Sequence, residues 1–110
     1  MKSSLSCNYY EIDQLKNITT DTHYKYCALH INIHSVKAKH DQLKEMISTL
    51  NSKQVPLHFI LLCETFLNDQ SVALYNIEGY NLISKNRKSG NRGGVAIYVL
   101  NSLSYLFVMI

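Results

Sequence analysis

No stretch of the chain reaches the roughly 18 consecutive apolar residues that a membrane-spanning helix needs. The opening stretch, MKSSLSCNYYEIDQ, has no apolar core of the kind a secretory signal carries. Cysteine is scarce: Cys7, Cys27 and Cys63 form no CxxC pair, and their odd number leaves one unpaired. Such spacing describes neither a disulfide framework nor a zinc site. Cys27 and Cys63 sit in apolar runs, where a free thiol behaves as a small hydrophobe. These absences predict an intracellular protein, nuclear or cytoplasmic, with no membrane segment. A GxxxxGK(S/T) phosphate loop and a GxSxG nucleophile elbow are both missing, so neither a P-loop nucleotide site nor a Ser–His–Asp hydrolase can be argued.

Acidic residues are also missing from everything after Glu78, where Lys85, Arg87, Lys88 and Arg92 stand unopposed. The net charge of +3 says little by itself, but this uneven distribution makes a polyanion, nucleic acid above all, a natural partner. A solvated hairpin tip would account for the same charges equally well. With 46% apolar and 17% charged residues the 110-residue chain has a globular composition. Its length suits one small domain or part of a larger one, able to bury roughly two-thirds of its unfolded surface.

Residues 1–25 are polar and weakly patterned; YYEIDQLKNI reads at most as a short helix in a lead-in segment. From residue 26 the pattern sharpens. YCALHINIH places Cys27, Leu29, Ile31 and Ile33 on one strand face and Ala28, His30, Asn32 and His34 on the other. After a polar turn at Ser35, KHDQLKEMISTLN carries Leu43, Met46, Ile47 and Leu50 as one helical stripe, stopping at Asn51 before Pro56. LHFILLC reads as a strand buried on both faces. Strand, helix and strand make a right-handed βαβ unit with parallel strands. The loop FLNDQSVALYNIEG leads to two more strands, YNLISK and GVAIYVL, joined by NRKSGNRG. The expected fold is therefore α/β, in the order β-α-β-loop-β-β. The apolar end, YLFVMI, reads as an unpaired edge, as though the domain were truncated.

Glu64 closes the apolar run HFILLC, where a carboxylate is costly unless water, a proton or a cation meets it. Asn32 and Glu64 each end a predicted parallel strand, the edge at which α/β sheets bind ligands. A carboxylate and an amide oxygen there suit Mg²⁺, which keeps most of its waters. Spacing alone equally allows Glu64 to run into solvent and Asn32 to cap the turn. His30 and His34 share the Asn32 face, but strand geometry sets them roughly 13 Å apart, too far for a simple chelate. The glycine-bearing segment with Lys85, Arg87, Lys88 and Arg92 suits contacts to a nucleic-acid backbone.

Four segments in series, LHINIHS (29–35), LCETFLND (62–69), IEGYNLISKNR (77–87) and RGGVAIYVLNSLSY (92–105), resemble the start of an endonuclease/exonuclease/phosphatase domain. More narrowly they are similar to the apurinic-endonuclease-like domain that precedes the reverse transcriptase in non-LTR retrotransposons of the jockey and chicken-repeat type. The resemblance spans about residues 26 to 105. It implies that residues 26–110 are the N-terminal half of a two-sheet α/β sandwich, and that complete relatives use Mg²⁺ to nick target DNA. It assigns Asn32 to the active-site asparagine and Glu64 to the metal-binding glutamate, and places Arg92 with the basic hairpin on a substrate-facing loop. His34 stands where relatives often carry arginine.

The family's tyrosine, Asp-x-Asn pair and late Asp–His pair have no counterpart here. The resemblance thus implies a fragment inactive alone, which a missing C-terminal half or partner chain would complete, and leaves open whether the chain is an enzyme. The alternative is a non-catalytic remnant or small nucleic-acid-binding module built on the basic hairpin, 85–92.

Overall fold

The period-two pattern around residue 30 does form a strand, and it pairs with the apolar run that ends at Cys63. The structure, a computed structural model, describes residues 26–53, 57–86 and 93–105. In chain order it contains β1 (Ala28–Asn32), α1 (Val36–Ser52), β2 (Phe59–Cys63), one 3-10 turn (Val72–Tyr75), β3 (Tyr80–Lys85) and β4 (Val95–Leu100). The expected β-α-β-loop-β-β order is thus observed. Among the described residues this is a small α/β domain with one α-helix and one mixed sheet, ordered β1-β2-β4-β3. β1 and β2 are parallel, as a βαβ crossover requires; β4 runs antiparallel to both its neighbours. The expected lead-in helix of residues 1–25, the hairpin residues Arg87, Lys88 and Arg92, and the apolar end after Tyr105 lie outside the described residues.

The helix starts earlier than its most obvious stripe suggests. Ser35 does not open a polar turn; its hydroxyl caps α1 by accepting from the Ala38 N–H at 3.2 Å. Val36, the first helical residue, is fully buried and heads a stripe with Leu43, Ile47 and Leu50, while Met46 flanks it half-buried. The helix passes Asn51 and stops at Ser52, where the Lys53 N–H takes up the last carbonyls.

Register divides the sheet into two unlike faces. Leu29, Ile60, Tyr98 and Leu82 form one transverse row, and Ile31, Leu62, Ala96 and Ser84 the next. These rows meet the helix stripe in a single core, with Ile60, Leu62 and Tyr98 at most 1% exposed. The Tyr98 hydroxyl donates to the Tyr75 carbonyl and the Tyr80 hydroxyl to the Leu57 carbonyl, so both rings bury without an unpaired polar atom. The opposite face carries the rows His30–Leu61–Ile97–Ile83 and Ala28–Phe59–Val99–Asn81. Phe59, Leu61, Ile83 and Ile97 stay partly open there and do not join the core. β2 is therefore covered on one face, not on both as its composition suggested.

Candidate functional site

Parallel pairing sets the C-terminal ends of β1 and β2 side by side, with Asn32 opposite Cys63, so Asn32 and Glu64 reach the same sheet edge. Beyond the strands the ladder continues: the Ile33 N–H donates to Cys63 O at 3.1 Å, Ser35 to Glu64 O at 2.9 Å and Val36 to Thr65 O at 3.0 Å. Along this edge His34, Ser35, Glu64 and Phe66 all have left-handed backbones, with φ of 47°, 91°, 53° and 57°. None is glycine or asparagine, so each costs on the order of 1–2 kcal/mol. Such conformations persist where the surroundings over-determine them, and they cluster at functional sites. Here the determinants are visible: buried Ile33, Val36, Thr65 and Leu67 alternate with the strained residues and pin them outward.

The question of what meets the Glu64 carboxylate has a direct answer. Its Oε2 lies 3.2 Å from Nδ1 of His34, and the two side chains are 40% and 60% exposed. An imidazole meets the carboxylate on one side, and the rest of it is open to solvent. A pair this open contributes at most about 1 kcal/mol, so it orients the two groups more than it stabilises the fold. Phe66 packs edge-on to the His34 ring, with centroids 6.5 Å apart and planes at 69°. Asn32 is exposed on the open sheet face.

The basic segment arrives at the same edge by topology. Asn32, Cys63, Val95 and Lys85 form one transverse row. Lys85 therefore stands three strand spacings from Asn32, roughly 14 Å. The β3–β4 connection leaves at Lys85 and returns at Gly93, whose carbonyl accepts from the Phe66 N–H at 2.9 Å. Gly94 O accepts from Thr65 N–H at 3.3 Å, and its bare Cα lies so near Thr65 that a Cβ there would fall 2.7 Å from Oγ1. At the departing end, the Asn86 side-chain amide donates to Asp69 at 2.8 Å. α1 also begins at this edge, with no acidic residue in its first turn.

Glu64 and Asn32 carry hard oxygen donors open to solvent, the ligand type that Mg²⁺ takes while keeping several waters. Among the described residues no three His, Cys, Asp or Glu side chains are grouped to hold a metal, so these two alone would make a weak site. The other described histidines stand apart from the His34–Glu64 pair. His34 leaves the strand instead of extending the His30 face, and His30 Nε2 lies 3.3 Å from Cys63 Sγ. His58 Nδ1 accepts from the Cys27 N–H at 2.9 Å, which ties β2 to the start of β1. His40 packs on the Tyr75 ring.

Asn32, Glu64 and Lys85 are thus brought to one edge, while Arg87, Lys88 and Arg92 lie outside the described residues. Sequence reasoning did not find the pairing of His34 with Glu64, nor the place of Phe66. The usual signal for a left-handed turn is glycine or asparagine, and these four positions carry neither. No helix among the described residues is long and apolar enough to cross a membrane. No protein-family model matches the sequence, and no curated protein matches it.

Proposed function

We propose that the β1/β2 edge is the metal- and phosphate-binding part of a DNA endonuclease domain of the endonuclease/exonuclease/phosphatase type, as in the retrotransposon proteins the sequence resembles. The observation that carries this reading is a convergence: a carboxylate on a strained backbone, an amide and the mouth of the basic β3–β4 connection share one sheet edge. Glu64 and Asn32 would hold Mg²⁺, which supplies charge stabilisation at a phosphodiester when bound. Lys85 and the basic residues that follow it contact the nucleic-acid backbone, and the N-terminus of α1 favours an anion nearby. On this reading the half-open face of Phe59, Leu61, Ile83 and Ile97 packs against a second sheet, supplied by a C-terminal half or a partner chain. That half would also bring the water-activating groups, so the chain alone has little or no nicking activity.

Titrating Mg²⁺ into the chain and following its amide-correlation NMR spectrum tests the site. Shifts should concentrate at Asn32 and at Glu64–Phe66 and vanish in Glu64→Gln. Shifts spread evenly over surface carboxylates would remove the metal assignment. A second reading, a nucleic-acid-binding module without catalysis, is favoured by the His34–Glu64 contact, in which the imidazole already takes up one carboxylate oxygen. A flat Mg²⁺ titration together with salt-sensitive oligonucleotide binding would select it.

A further inference from the structure

Phe66 does not have the surroundings of a core aromatic. The residues on either side, Thr65 and Leu67, are 0% and 6% exposed and occupy the interior, while Phe66 is left partly open between them. Its backbone is left-handed, which a bulky side chain adopts only under constraint. The constraint is its N–H bond to Gly93 O, which ties it to the returning end of the basic connection. Its ring is buttressed edge-on by His34, and His34 is itself oriented by Glu64. An apolar ring is thus held against an imidazole, at the sheet edge that also carries Glu64 and Lys85, where the core does not use it.

We propose that Phe66, backed by His34, is a stacking platform for an unpaired nucleobase, so that this edge takes single-stranded nucleic acid in preference to duplex. The inference rests on the reading of the edge as a nucleic-acid phosphate site. Every base has a π-face on which an aromatic ring can stack, but in a duplex neighbouring pairs cover those faces. Lys85 at the same sheet edge supplies the backbone attraction, and Phe66 supplies the discrimination between strand states. His34 acts as a positioning residue for the ring.

The sequence contains no tryptophan, so Phe66→Trp makes the sole indole a reporter of stacking at this position. Oligodeoxythymidylate is titrated into this variant in the presence of EDTA, with anisotropy of a labelled oligonucleotide recording binding independently. Saturable quenching of the indole that follows the anisotropy supports the proposal. Bound oligonucleotide with unchanged indole emission overturns it while leaving the phosphate site standing. Phe66→Leu should weaken single-strand binding about tenfold or more and change duplex binding less than twofold. Equal loss on both substrates also overturns it. If neither substrate binds the wild-type chain, the phosphate-site reading falls and takes this inference with it.

Discussion

His34 Nδ1 and Glu64 Oε2 meet at 3.2 Å across the ends of two parallel strands, and both residues have left-handed backbones. Both lie just past the strand ends, Asn32 and Cys63, where backbone hydrogen bonds carry the pairing on through Ser35 and Val36. The buried neighbours Ile33, Val36, Thr65 and Leu67 hold that strain in place, and on the proposed reading it sets stability against function at this edge.

Glu64→Gly separates the two. Glycine adopts the φ of 53° without a Cβ penalty, and the exposed contact with His34 that is lost is worth little. The variant should be as stable as the wild type or gain up to about 1 kcal/mol in urea unfolding. Its Mg²⁺-induced NMR shifts should disappear. A clear loss of stability would show that the Glu64 backbone is not strained.

Gly94→Ala acts in the opposite sense. The new Cβ would lie 2.7 Å from the Oγ1 of fully buried Thr65, at a φ of +86°. Overpacking and backbone strain together should cost about 2–4 kcal/mol. Thermal unfolding measures it, and an unchanged midpoint would contradict the close approach between the β3–β4 connection and the Glu64 loop.

Stability should fall in strong base, through Tyr98. Burial pushes its hydroxyl from the ordinary 10.0 up to about 12, and Tyr80 is raised in the same direction for the same reason. The unfolded tyrosine ionises near 10 and the folded one resists, so the folded state is favoured fully below pH 10. That advantage drains away between pH 10 and about 12, by on the order of 2–3 kcal/mol for Tyr98. Urea midpoints measured across this range should drop steeply in the wild type. Tyr98→Phe, which lacks the ionisable group and the hydrogen bond to Tyr75, should start lower and fall less.

Neutralising Lys85, Arg87, Lys88 and Arg92 together should weaken oligonucleotide binding and flatten its dependence on salt. Each lost phosphate contact removes roughly 0.7–0.9 from the slope of log affinity against log salt. A quadruple variant with an unchanged slope would place the nucleic-acid contact elsewhere on the molecule.

The elements themselves were readable because period-two and helical spacing are local properties. The β3 bounds, Tyr80–Lys85, coincide with the expected strand YNLISK, and the stripe of Leu43, Ile47 and Leu50 is the buried side of α1. The start of α1 was less legible, since Val36 stands a full seven residues before Leu43 and its burial depends on the sheet beneath it. The openness of the second face of β2 was not legible at all. Composition records that Phe59 and Leu61 are apolar, but whether anything covers them depends on which elements pack there.

The sequence by itself determined which residues alternate, which form a helical stripe, and that Asn32 and Glu64 lie at the ends of two strands, because these follow from backbone periods over a few residues. Tertiary structure alone decided that β4 inserts between β2 and β3, carrying Lys85 into the same row as Asn32. It also decided that His34 turns back to meet Glu64, at positions where no glycine announces a left-handed turn. Those choices rest on long-range hydrogen bonds and on buried neighbours such as Thr65 and Val36, whose effect appears only once the strands are paired.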